Sequence, residues 1–418
     1  MERKYKLMVG VFATIPFLMV LGNSMLIPEF PKISSALNIN QFQVGLMITL
    51  FSASAGISIP VLGYLSDKYG RKKILIPSLI TYGLGGLISG LAAAFLKEDG
   101  YYIILVGRVV QGIGAAGTYP IVIALVGDIF QSTERSEALG IIEAANGLGK
   151  VLSPILGAAI ALIVWHALFF SYTILTIPIV FAVFFIVQEP DREEQEDSIK
   201  NYLSKIKDIF SEKGKPLFFS LLAGITILFV LFGVLSFISD LFETKYNITG
   251  LKKGLLISLP ILFMSTTAYL SGLYLKNKGK YFKQTMALGL LIDTIALATL
   301  PFLDGIVLFV ALLALLGIGN GLVLPALNTL VTSTASKEQR GGITSIYGSS
   351  RFLGVAFGPP AFSLLNEIST TVMFITAAVI SLIVSILTYL FVDENVLLPD
   401  DMQQGNQQQN EQSQEEDN

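Results

Sequence analysis

The 418-residue sequence has no cysteine and one histidine. The first absence excludes disulfides, thiolate metal sites and thiol nucleophiles, and a lone histidine cannot build an imidazole cluster. Charge is scarce as well: Asp, Glu, Lys and Arg make up 14% of the residues, against about 25% in ordinary soluble domains. No glycine-rich phosphate loop ending in Lys-Ser or Lys-Thr occurs, so nucleotide hydrolysis is not the energy source. What fills the chain is apolar, at 53% hydrophobic residues and a mean hydropathy of +0.67. These numbers describe a polytopic membrane protein surrounded by lipid. It is expected to be no enzyme, to carry no cofactor or metal and to bind no nucleic acid.

Apolar segments of about 20 residues, the length that crosses the hydrocarbon core, fall near 7–28, 43–62, 74–96, 103–127, 137–163, 168–187, 217–238, 254–275, 284–303, 306–331, 342–365 and 370–392. The prediction is an all-α membrane protein of twelve spans. An even count puts both termini on one side, and that side carries 20 of the 28 Lys and Arg residues while the opposite loops carry five. By the positive-inside rule both termini are cytoplasmic, in a chain expected to sit in the cell membrane. The basic start runs into the first apolar segment without an Ala-x-Ala site, so that segment is read as a retained span. The longest loop divides the chain into a first half, 1–188, a linker, 189–216, a second half, 217–392, and a tail, 393–418. In the linker an acidic stretch precedes Ile199, Tyr202, Leu203, Ile206, Ile209 and Phe210, spaced as an amphipathic surface helix or a solvated helical linker. The tail is rich in Gln, Asn and Glu and is predicted to be disordered.

The halves repeat at one offset. Gly112-Ile-Gly-Ala-Ala-Gly-Thr-Tyr-Pro120 matches Gly317-Ile-Gly-Asn-Gly-Leu-Val-Leu-Pro325 at 205 residues, and the same offset sets Arg135 on Arg340, Gly149 on Gly354 and Pro154 on Pro359. Such repeats mark secondary transporters, whose substrate site lies between the halves near the bilayer midplane.

Between the second and third spans stands Gly63-Tyr-Leu-Ser-Asp67-Lys-Tyr-Gly70-Arg71-Lys-Lys73. A cytoplasmic loop needs basic residues, but not an aspartate four residues before an arginine; a carboxylate there can pair with Arg71 or cap a helix. The pattern resembles the loop signature of the major facilitator superfamily. That resemblance implies two pseudo-symmetric six-helix bundles rocking about a central cavity, with Asp67 and Arg71 locking their cytoplasmic ends. The second copy, Gly272 to Lys280, has Lys276 in place of the aspartate.

Three further stretches carry the likeness. Arg108-Val-Val-Gln-Gly112-Ile-Gly114 resembles the superfamily's fourth-helix motif with its buried arginine, although an arginine so near a helix end can also snorkel. Gly149-Lys-Val-Leu-Ser153-Pro154-Ile-Leu-Gly157-Ala158 resembles the fifth-helix signature of the drug:proton antiporter branch, with Ser153 and Ala158 at glycine positions. Leu21-Gly22 followed by Pro28-Glu29-Phe30-Pro31 resembles the first-helix ending of twelve-helix drug exporters. The resemblance implies proton-coupled efflux of amphipathic molecules by a chain that works as a monomer.

The fifth span holds Glu143, Asn146 and Lys150 on one face. Charges inside a membrane face a bundle interior or a wet cavity. Glu143 is therefore the candidate proton-coupling carboxylate, with Lys150, Asn146, Arg108 and Arg351 as its cavity partners; the plain alternative is a structural ion pair. Arg351 on the eleventh span either faces the cavity or caps a loop. Asp293 reads as a structural partner, and Asp240, Glu243, Asp304 and Glu367 as solvated helix ends. Three cations against Glu143 sit poorly with a cationic drug. An exporter of anionic metabolites, sugars or lipid-linked molecules stands as the alternative, and a transporter-like sensor as a second one.

Overall fold

The computed structural model describes residues 3–130, 132–190, 199–278, 281–334 and 340–398. Among them there is no strand, as expected where lipid leaves backbone groups no partner but their own helix. The first half consists of α1 (Arg3–Ser24), α2 (Phe30–Leu37), α3 (Gln41–Tyr69), α4 (Arg71–Phe95), α5 (Tyr101–Ala116), α6 (Tyr119–Ile129), α7 (Ser132–Ile160) and α8 (Ala167–Ile186). The second consists of α9 (Ile199–Thr244), α10 (Gly250–Lys278), α11 (Phe282–Thr299), α12 (Ile306–Ser333), α13 (Arg340–Ile368) and α14 (Thr370–Phe391), followed by the short α15 (Glu394–Leu397). Among the described residues eleven stretches are long and apolar enough to span a membrane, α1 with α2 and α5 with α6 counting as one each. The twelfth span is α13, 29 residues long and less apolar because it carries Arg351 and a run of small polar residues.

Packing repeats with the sequence. In the first half α1 lies on α7 and α8, α5 on α3 and α4, and α4 on α8. The second half has the same pairs in α9 with α13 and α14, α12 with α10 and α11, and α11 with α14. The halves meet along two seams related by the same symmetry, α3 against α13 and α10 against α7.

Three expectations are corrected. The fourth span is not one helix. Its ladder stops at Ala116, Thr118 takes φ −109° and ψ −90°, and α6 restarts at Tyr119 with Pro120 in its first turn. The matching α12 runs unbroken through Pro325. The linker helix and seventh span are likewise a single 46-residue helix, α9, which carries Pro216 internally. Its early part docks rather than floats, with Ile209 buried and Lys213 Nζ donating to Thr334 O at 3.1 Å. The tail begins folded: Leu397 and Leu398 are buried, and Glu394 Oε1 accepts from the Lys283 amide at 2.7 Å. Residues 191–198, most of the acidic linker stretch, and 399–418, the rest of the tail, lie outside the described residues, as do Gly279 and Lys280 of the second loop copy.

Candidate functional site

Both halves contribute to one polar group. Glu143 and Asn146 are a helical turn apart on α7, and Asn146 Nδ2 donates to Glu143 Oε2 at 3.3 Å. The other carboxylate oxygen accepts a hydrogen bond from the Tyr119 hydroxyl. Tyr119 is the first residue of α6, so the break in the fourth span is what turns its ring toward α7. From the second half α13 supplies Tyr347 and Arg351, one turn apart, with the guanidinium 5.4 Å from the Tyr347 ring centre. Glu143 and Arg351 both lie within electrostatic range of Lys150. Lys150 makes no ion pair or hydrogen bond among the described residues.

Of the five predicted cavity residues, the structure brings together Glu143, Asn146, Lys150 and Arg351. Glu143 is exposed rather than enclosed, and Asn146 is buried with its Oδ1 lacking a partner. Tyr119 and Tyr347 were missed. The available signals were a phenol beside the proline of the repeated stretch, where the second copy has Leu324, and a tyrosine one helical turn before Arg351.

Arg108 does not join this group. It is 0% exposed and bonds Met47 O at 2.9 Å, Gln111 Oε1 at 2.5 Å and Gly22 O at 2.6 Å, with its guanidinium 4.4 Å from the Phe51 ring centre. It neither snorkels nor faces the cavity. It ties α1, α3 and α5 together by capturing backbone carbonyls.

The fifth-helix motif sits at two contacts. A Cβ on Gly149 would lie 3.2 Å from Phe17 Cα, and one on Gly157 would meet Met25 O, so both glycines let α7 lie directly on the first span. Ser153 and Pro154 are buried between them. Pro154 turns to the other half, where a Cβ on Gly254 would stand 2.7 Å from its carbonyl oxygen. The repeat copies this plan: Gly354 packs on Ile225, and Pro359 stands 3.1 Å from where a Cβ on Gly45 would be. Pro360 leaves the Ala356 carbonyl without its helical donor. Thr49 Oγ1 of the first half supplies one at 2.7 Å.

The loop motif stands at the junction of α3 and α4. Gly70 takes φ +108°, open to glycine, and lets α4 begin immediately after α3. Arg71 pairs with Asp67, with Asp128 at 3.3 Å and with Ser66 Oγ at 2.8 Å. Glu189 caps α4, accepting from the amides of Arg71 at 2.6 Å and Lys72 at 2.9 Å. Among the described residues these contacts of Arg71 brace α3, α4, α6 and the exit of α8. Gly63 does approach Ser345 of α13.

At the bundle end opposite the termini the halves are closed. Ser239 Oγ of α9 donates to Ile27 O at 2.5 Å. Lys253 of α10, 2% exposed, bonds Glu243 at 2.6 Å, and Glu29, 4% exposed, pairs with Lys32 at 3.5 Å and lies within range of Lys253. Glu243 is thus not a merely solvated helix end, and Asp304 pairs with Lys245 at 3.5 Å. Toward the end carrying the termini Glu143 and Ala144 of α7 are exposed, and Tyr269 of α10 is 68% exposed. Asp293 lies elsewhere, on α11, fully buried and accepting from Asn320 Nδ2 at 3.1 Å.

The chain resembles known proteins over most of its length. The profile of the Major Facilitator Superfamily matches residues 12–359 and 283–408. The Bacillibactin exporter of Bacillus subtilis is 41% identical over 91% of this chain and 95% of its own. Multidrug resistance protein 1 of the same organism is 25% identical over 91% and 94%. Among solved structures, a D-xylose-proton symporter superposes with a TM-score of 0.73 at 16% identity, covering 93% of this chain and 98% of that one.

Proposed function

This chain belongs to the major facilitator superfamily, and from that premise we propose that it exports amphipathic small molecules from the cytoplasm in exchange for protons. Glu143 carries the proton. The observation that carries this reading is the polar group built by both halves, in which a carboxylate, an unpaired lysine and an arginine meet at the seam that must rearrange during transport. A site shared by two rocking bundles changes its surroundings with every cycle, which is what coupling requires. The sealed end with Lys253 and Glu243 is the external gate, and the end carrying the exposed Glu143 opens to the cytoplasm, where both termini lie. One chain completes the site, in keeping with a monomer in the lipid bilayer.

The charge balance favours the anionic alternative over a drug cation. Lys150 and Arg351 face Glu143 alone, and the Glu143 oxygens are already held by Tyr119 and Asn146. A neutral or anionic amphiphile gains from both cations, whereas an organic cation is repelled by them. The similarity to a bacillibactin exporter supports a siderophore-like substrate of this kind. Multidrug relatives at lower identity support the cationic reading more weakly.

The test is proton flux in proteoliposomes with cationic, neutral and anionic amphiphiles. Anionic and neutral compounds are expected to move protons in the parent and to lose that ability in Lys150→Met. Proton movement with organic cations alone would overturn the substrate assignment, and none with any compound would overturn the transport reading.

A further inference from the structure

Asp293 is a carboxyl group that neither the seam between the halves nor the cytoplasmic motif uses. It lies in the apolar span of α11, fully buried, and faces the equally buried Asn320 of α12. Asn320 Nδ2 donates to Asp293 Oδ2 at 3.1 Å and to Leu316 O at 2.8 Å. Both amide hydrogens are thereby used, which fixes the amide so that its oxygen is the remaining acceptor. Two oxygens of the pair, Asp293 Oδ1 and Asn320 Oδ1, are left buried without a partner. Among the described residues Asp293 makes no ion pair, and no charged or titratable side chain lies within electrostatic range of it. The helices close tightly on this point: a Cβ on Gly319 would collide with Asp293 Oδ1 and stand 2.6 Å from Gly289 O. A hard metal cation gathers about six oxygens, whereas a proton needs only the oxygens it bridges. The 205-residue offset sets Ile88 against Asp293 and Ala115 against Asn320, so the first half has no such pair.

We propose that the Asp293–Asn320 pair is a resident proton site, in which Asp293 is a neutral acid whose Oδ1–H donates to Asn320 Oδ1 while Asn320 Nδ2–H donates to Asp293 Oδ2. An acid and a primary amide are complementary in this way, each offering one donor and one acceptor. One proton satisfies both orphaned oxygens and closes a ring of two hydrogen bonds between α11 and α12. An ionised carboxylate offers no donor, leaves Asn320 Oδ1 bare, and adds the cost of a buried charge without a partner. This proton is distinct from the one assigned to Glu143. α11 packs on α12 and α14, all in the second half, so the site keeps its neighbours as the halves rock and holds its proton as a bolt between α11 and α12. The inference stands apart from the export reading.

The test is infrared spectroscopy of the full chain in nanodiscs, with aspartate isotopically labelled at its side-chain carboxyl carbon. At about pH 8, far above the ordinary aspartate value of about 3.9, solvated carboxyls are ionised, and a protonated-carboxyl band that shifts with the label is expected to remain. A band from Glu143 would not shift with that label, which keeps the two sites apart. The band is expected to vanish in Asp293→Asn and to move without vanishing in Asn320→Leu. Asp293→Asn also offers one donor and one acceptor to Asn320, so it is expected to melt with the parent, whereas Asp293→Leu is expected to melt lower. Absence of the labelled band in the parent, which needs no variant to fold, overturns the proposal, as does its survival in Asp293→Asn. A melting temperature that rises with sodium over choline in the parent and not in Asp293→Asn would assign the site to a metal cation and overturn it as well.

Discussion

Replacing Gly254 by leucine tests whether the two halves move apart at the closed end. Gly254 lies on α10 where it crosses α7, and its missing Cβ would stand 2.7 Å from Pro154 O, 2.8 Å from Ala158 Cβ and 3.3 Å from Ile155 Cα. Two of these are backbone atoms of the other half, so the clash is relieved only if the halves separate. Overpacking of this kind costs about 1–3 kcal/mol. If that cost falls on the closed conformation alone, the equilibrium shifts toward the opened one by roughly 5- to 150-fold. The absence of native cysteine makes the measurement direct. Spin labels at Ala36→Cys on α2 and Thr249→Cys before α10, both exposed and in opposite halves, report the separation by pulsed dipolar spectroscopy in nanodiscs. A longer distance population should grow in Gly254→Leu. It should not grow in Gly272→Leu, a control on the same helix whose added Cβ would meet nothing nearer than Pro325 Cβ at 3.6 Å, within its own half. An unchanged distribution in a folded Gly254→Leu would refute the reasoning.

Glu189→Ala removes the two hydrogen bonds that cap α4. A cap contributes about 0.5–2 kcal/mol and a carboxylate at a helix N-terminus about 0.3–1 more, so the melting temperature should fall by several degrees, and Glu189→Gln should recover part of it; no change in either would show the cap to be idle. Arg108→Lys keeps the charge but loses the fork that reaches Met47, Gln111 and Gly22. At about 1.5–3 kcal/mol per charged hydrogen bond, losing one or two should lower the yield of folded protein in size-exclusion profiles. Burial raises the Glu394 carboxyl above its ordinary 4.5. The folded state therefore holds this proton more tightly than the unfolded one, and the resulting stabilisation, complete below 4.5, is lost as pH rises through the raised value. Melting curves of the parent should carry that decline, and those of Glu394→Gln should lack it.

The spans and the halves were legible because hydropathy over about 20 residues is a local property and because a single 205-residue offset survives in Gly149, Pro154, Gly354 and Pro359. Those residues do lie at repeated helix crossings. The broken fourth span was not legible, since apolar side chains on both sides of Thr118 carry no record of its dihedral angles; only Gly117 and Pro120 hinted at it. Arg108 was read as a cavity charge because its partners are backbone carbonyls of Gly22 and Met47, which leave no mark in the sequence. Tyr119 and Tyr347 were hidden among 15 tyrosines and 28 phenylalanines. Their importance comes from α6 and α13 meeting across the seam. The Asp67 and Arg71 motif was visible as a motif, but its contacts with Asp128 and Glu189 come from distant parts of the chain and leave no mark in the local sequence.

Proton-driven export through Glu143 is the centre of the account, and one variant addresses it directly. In proteoliposomes with an imposed proton gradient, the parent should accumulate an exported amphiphile against its concentration gradient. Glu143→Gln keeps an acceptor for Tyr119 but cannot ionise. It should lose that accumulation while still exchanging labelled for unlabelled substrate across the membrane at equal concentrations. Undiminished gradient-driven accumulation in Glu143→Gln would contradict the account.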